Sequence, residues 1–164
     1  MKKPNSPMQL TRAADYAIRV MIHLSSPGAD GRLSLPALAQ ATGAPESFLS
    51  KVMQALTHAG LVSSQRGQSG GFHISPRGRG ASMRDVIEAI DGPIYLNVCL
   101  MSGRSCRRKA ACPAHPIWEE AQQAMLEVLE RASLAALASP AAPAHSSGGA
   151  RLVHTVAKAP APLC

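Results

Sequence analysis

The chain has 164 residues, 46% hydrophobic but only 3% aromatic, and a formal net charge of +7. Such a length suits one compact domain with an arm and a tail rather than two catalytic domains, and no run approaches the ~18 to 20 apolar residues of a membrane span. The charge is lopsided, with nine Lys/Arg against three Asp/Glu up to Gly80 and eight against seven from Ala81 onward, which favours a polyanionic partner over an evenly solvated basic surface.

Residues 1–7 read as an N-terminal extension. Lys2 and Lys3 are followed by no apolar leader core, so a cytoplasmic location is expected, and Met8 is a candidate natural start. From Thr11 to Leu24, Ala17, Val20, Met21 and Leu24 fall at helical spacing behind a capping threonine, and Pro27-Gly28 closes the segment. Ser34 introduces a short second helix that tolerates Pro36 near its start and ends at Gly43. Pro45-Glu46 opens a third, whose Leu49, Val52, Met53 and Leu56 form an apolar stripe. Its opposite face carries Ser47, Ser50, Lys51 and Gln54 at the same spacing, all able to donate to phosphates or base edges. Any amphipathic surface helix has a polar face; the order of elements around this one gives it meaning.

Leu61 to Ser64 and Phe72 to Ser75 are β-compatible and flank a turn containing Arg66, Gly67, Gly70 and Gly71, the pattern of a basic hairpin. A short helix, a glycine turn, an amphipathic helix and a hairpin make a winged helix-turn-helix, and residues 8–92 are expected to form this DNA-binding domain. Arg66 is placed to enter a minor groove, Gln68 and Ser69 at the tip to make secondary contacts, and Arg77 and Arg79 to neutralise phosphates. Ser82 then caps a helix through Met83, Val86, Ile87 and Ile90, which Asp91-Gly92-Pro93 ends.

Residues 93–115 form a loop in which Cys99, Cys106 and Cys112 are separated by six and five residues and followed by His115. Soft thiolates with an imidazole suit an iron-sulfur cluster, zinc or copper(I). Structural zinc more often uses two-residue gaps, so the long gaps favour a larger centre. Arg104, Arg107, Arg108 and Lys109 would lower the thiol pKa values and offset cluster charge. A metal-free loop that forms disulfides on oxidation stays open, and His115, before Pro116, has a second reading as a helix start without a ligand role, though ligation is favoured. Residues 116–138 read as one long helix of ~30 Å, with Trp118, Ala121, Met125, Val128, Ala132 and Ala135 as a stripe that Ile117, Leu126 and Leu129 widen, packing both on its own domain and on a second subunit. Residues 139–164, rich in Pro, Ala, Gly and Ser, are expected to be disordered, with Cys164 a free thiol.

Leu10-Thr11, Ala14-Asp15-Tyr16-Ala17, Ala59 to Ser64, Arg66-Gly67, Gly70-Gly71 and the three cysteines resemble the bacterial Rrf-two family of iron-sulfur transcription regulators, of the IscR/NsrR type. The resemblance runs from Met8 to about Ala138. It implies a homodimer with crossing C-terminal helices, recognition contacts at Ser47, Ser50 and Lys51, a wing arginine at Arg66, and cluster ligands at Cys99, Cys106 and Cys112. In one branch of the family a histidine, here His115, completes a 2Fe-2S site; in another an aspartate from the partner subunit, here Asp15, completes a 4Fe-4S site. Asp15 also has a plain reading as an acidic residue early in a helix, and 2Fe-2S with His115 is the expectation. The chain departs from the family in having six rather than five residues between its first two cysteines, in the residues before Met8, and in its tail. The expected function is a DNA-binding regulator whose operator affinity follows iron-sulfur status, redox state or nitric oxide. The alternative is a zinc-stabilised or thiol-redox winged-helix repressor. An electron-transfer protein would need no basic face or wing, and no catalytic constellation supports an enzyme.

Overall fold

A computed structural model of the protein describes residues 10–27, 32–67, 70–101, 106 and 108–139. Met8 and the extension before it, the wing-tip pair Gln68 and Ser69, the loop cations Arg104 and Arg107, and the tail from residue 140 with Cys164 lie outside the described residues.

Helix α1 (Arg12–Ser25) starts where the Thr11 hydroxyl accepts from the Ala14 amide at 3.2 Å, satisfying one of the donors a helix start leaves unpaired. It buries Ala14, Ala17, Val20, Met21 and Leu24, the expected stripe with one more turn, and is the element around which the others pack. Helix α2 (Leu35–Thr42) is capped by Ser34, carries Pro36 in its first turn and ends at Gly43 with φ 68°, a left-handed conformation that glycine adopts without a Cβ penalty. Helix α3 (Glu46–His58) buries Leu49, Val52, Met53 and Leu56, so its inner face is the stripe read from the sequence.

Strands β1 (Val62–Gln65) and β2 (Gly71–Ile74) pair antiparallel with Val62 opposite Ile74 and Gln65 opposite Gly71. Leu33 adds an unforeseen third pairing: its amide donates to Phe72 O and its carbonyl accepts from Phe72 N, both at 2.9 Å. A Cβ at Gly71 would stand 2.7 Å from the Leu33 carbonyl oxygen, so glycine there serves this close approach as much as the turn. The short helix α4 (Pro76–Arg79) follows, capped by Ser75, whose hydroxyl also donates to Gly60 O at 2.6 Å.

Helix α5 (Met83–Asp91) begins with a capping box in which Ser82 accepts from the Asp85 amide and Asp85 accepts from the Ser82 amide at 2.8 Å. Partial burial pushes the Asp85 carboxyl up; its hydrogen bonds from Ser82, with Arg77 and Arg84 nearby, outweigh that and hold it below the usual value. At its other end Asp91 receives the Thr11 amide at 3.1 Å and the Thr11 hydroxyl at 2.7 Å. A carboxylate ill-placed at the end of α5 thus sits at the start of α1, where the dipole favours it.

The chain then passes through a 3-10 turn at Val98–Leu100 and another at Lys109–Ala111 into α6 (His115–Arg131). The single long helix expected over 116–138 is two helices: α6 stops at Ala132, whose ψ is 79°, and α7 (Leu134–Ala138) is separate. The break lets Ala132 O accept from Met83 N at 2.9 Å and Leu134 N donate to Ala81 O at 3.1 Å, while Leu134 becomes fully buried in the core. Burying one leucine, worth about 1.5–3 kcal/mol, with two tertiary main-chain bonds outweighs continuing the helix. At 17 residues α6 spans about 25 Å. Among the described residues no helix is long and apolar enough to cross a membrane.

Candidate nucleic-acid interface and cysteine loop

Leu49, Val52, Met53 and Leu56 anchor α3 in the core, so the helix must present its other face outward, and Ser47, Lys51 and Gln54 are exposed there with Ser50 half-buried. An open groove of about 750 Å³ runs between this face, the start of α2 and the root of the hairpin, with Ser50, Gln54 and Arg66 on its walls. Ser47 and Lys51 lie on the exposed face of the same helix. Gln68 and Ser69 fall outside the described residues. The groove also takes in Ser34, Thr57, His58, Ser64 and Gln65, which sequence reasoning passed over. The signal for two of them was present, since Thr57 and His58 continue the i+3, i+4 spacing one turn beyond Gln54. The Thr57 hydroxyl is buried without a hydrogen-bond partner.

The start of α3 is braced from α1: Tyr16 and Phe48 meet edge to face at 5.7 Å, and the Arg19 guanidinium lies 5.6 Å from the Tyr16 ring centroid. Asp15, the alternative metal ligand, is exposed on α1 and ion-paired to Arg19 at 2.8 Å.

In the loop, Cys99 lies in the first 3-10 turn and Cys112 closes the second, and Cys99, Cys106 and Cys112 are all half-buried thiols outside any disulfide. Gln122 on α6 accepts from the Leu96 amide at 3.0 Å and ties the loop's first stretch to the helix. His115 is 5% exposed, and its amide donates to Cys112 O at 3.1 Å. Its Nε2 is 3.1 Å from Glu119 Oε1, out of line for a full hydrogen bond, and neither ring nitrogen has a hydrogen-bond partner. A buried polar atom left so costs about 1–3 kcal/mol. Three soft thiols and an orphaned imidazole are a donor set whose chemistry fits an iron-sulfur or zinc centre. Among the described residues no three His, Cys, Asp or Glu side chains stand together as a metal-holding group.

A core-anchored helix with a polar outer face, set beside a two-stranded hairpin with a basic root, defines a winged helix-turn-helix DNA-binding protein. A family profile described as "Rrf2: Iron-dependent Transcriptional regulator" matches residues 10–140, and the chain belongs to that family. It is 31% identical over 125 residues to "Protein aau3" of Rhizobium meliloti, spanning 75% of this chain and 80% of that protein. Its fold is similar to that of CymR, the global cysteine regulator of B. subtilis, with a TM-score of 0.63, 27% identity, and coverage of 80% of this chain and 96% of that one. It is also similar to IscR of T. potens, with a TM-score of 0.58, 26% identity, and coverage of 78% and 84%. The chain is therefore a transcriptional regulator, of a family that is not enzymatic.

Proposed function

We propose that this regulator is a cytoplasmic homodimer whose operator affinity is governed by an iron-sulfur cluster on Cys99, Cys106, Cys112 and His115, with 2Fe-2S the nuclearity and Asp15 the alternative fourth ligand. The observation that carries the reading is His115: a buried imidazole three residues after Cys112, whose Nδ1 has no partner and whose Nε2 meets Glu119 Oε1 at 3.1 Å without forming a hydrogen bond. A polar ring is rarely buried without a partner, and a ligand supplies one. When bound, the cluster would supply a centre whose oxidation, nitrosylation or loss changes charge and ligation at the loop.

The remaining steps belong to the chain's own residues. Ser47, Ser50, Lys51 and Gln54 face the major groove, Gln54 suited to adenine and Lys51 to guanine or phosphate, while Arg66 engages the minor groove and Gln68 and Ser69 make secondary contacts. Helix α6 carries dimerisation, with Ile117 at 64% and Val128 at 55% exposure as apolar groups for a partner to cover. Changing the loop's hold on the start of α6 then shifts one DNA-binding domain relative to the other. Coupling of this kind is typically ~1 to 3 kcal/mol, or about five- to 150-fold in affinity.

Protein purified without oxygen is expected to be coloured, to contain iron and acid-labile sulfide, and to change operator affinity when the cluster is removed. A second reading, a zinc-stabilised or thiol-redox repressor, is favoured by the three half-buried thiols outside any disulfide, the donors that either would use. A colourless, iron-free preparation, even after reconstitution, would select it.

A further inference from the structure

We infer that Glu119 is a positioning residue for His115, its carboxylate holding the proton on Nε2 so that Nδ1 is the nitrogen offered to a metal centre. The inference rests on the metal-ligand reading of His115. Glu119 lies one turn beyond His115 on α6, and its Oε1 stands 3.1 Å from Nε2, within reach of a hydrogen bond that a small turn of the exposed carboxylate would align. The same oxygen is 3.8 Å from Lys109 Nζ, in the 3-10 turn between Cys106 and Cys112. One carboxylate therefore touches both the imidazole and the stretch of loop that carries the last two thiols.

The tautomer follows from the chemistry of the pair. An ionised carboxylate only accepts hydrogen bonds, so it favours the neutral imidazole whose single N–H is on the nitrogen facing it, and the lone pair falls to Nδ1. That nitrogen is buried and has no partner. Metal-bound histidines commonly have such an outer carboxylate, which fixes the ring and raises its basicity. Glu119 is 54% exposed and Lys109 59% exposed, so the carboxylate stays in contact with water while reaching the buried ring. An ordinary surface i,i+4 pair would leave the imidazole in solvent, with water on its other nitrogen.

The test uses the full chain labelled with 15N-histidine, with the His115 signals assigned through His115→Ala. Long-range 1H–15N correlation of the metal-free protein at neutral pH is expected to show mainly the Nε2–H tautomer. Glu119→Ala should give a mixture, whereas Glu119→Gln, whose amide oxygen can still accept, should largely keep the wild-type pattern. An Nδ1–H tautomer in the wild type, or no change in Glu119→Ala, would overturn the inference. After anaerobic reconstitution with ferrous iron and sulfide, Glu119→Ala should lose its cluster to an iron chelator about 10- to 100-fold faster than wild type, with a shifted visible spectrum. Equal rates and spectra would also overturn it. Wild-type protein that takes up no iron or sulfide would defeat the proposed function, and the tautomer of the metal-free protein would still decide the role of Glu119.

Discussion

On the proposed interface Lys51, Gln54 and Arg66 have different roles, and their substitutions are expected to separate accordingly. Each cation that neutralises a phosphate contributes about 0.9 to the slope of log affinity against log salt. Lys51→Ala and Arg66→Ala are each expected to weaken binding and flatten that slope by about one, measured by fluorescence anisotropy over a salt series; unchanged isotherms would remove this face from the interface. Gln54→Ala should leave the slope alone and cost about 1–3 kcal/mol of discrimination at one base pair. The outer face of α3 was legible because the helix needs four apolar anchors, and the spacing that buries Leu49, Val52, Met53 and Leu56 dictates what remains outside. His58 and Thr57 obey the same spacing, but a histidine near a helix end also reads as a C-terminal charge partner, and that competing explanation hid the groove they line.

Among the elements, α5 shows how a cap carries pH dependence. The Asp85 carboxyl is held below its usual value, mainly by hydrogen bonds from Ser82 that overcome the opposing effect of burial. A group with a depressed pKa contributes stability above its unfolded value and loses it as the pH falls through the folded one. Asp85→Ala is therefore expected to cost about 1 kcal/mol near neutral pH, and the wild-type and variant denaturation curves should converge as the pH drops below about 4. A gap that persists in acid would place the effect elsewhere. Caps at Thr11, Ser34 and Ser82 could be read from the sequence because each bonds within its own turn. The Leu33 pairing with Phe72 and the break at Ala132 could not, since their main-chain partners, Phe72 and the stretch Ala81 to Met83, lie far off in the chain and leave no local pattern. The long apolar periodicity through Ala135 hid that break: Leu134 serves the core, not the stripe.

For the molecule as a whole, the unpaired apolar face of α6 sets the expected assembly. Only His115 is buried along that helix, an unusual balance for an element carrying Ile117, Leu126, Val128 and Leu129. Replacing Ile117 and Val128 together with serine should raise the dimer dissociation constant on the order of hundredfold, from about 1.5 kcal/mol for each aliphatic side chain covered. Sedimentation of the two proteins checks this, and a wild type that is monomeric at high concentration would refute it. The three thiols and the histidine of the loop stand out in the sequence as candidate ligands, whereas the contact of Glu119 with His115 and Lys109 needed α6 and the loop to be placed against each other.

The clasp of Asp91 on Thr11 gives the loop one end that does not travel. The segment departs from a post pinned to the DNA-binding body and returns at the first turn of α6. A pull from a bound centre would therefore be felt at the first turn of α6, whose far end Met83 holds to the same body, so that the helix would pivot about that hold.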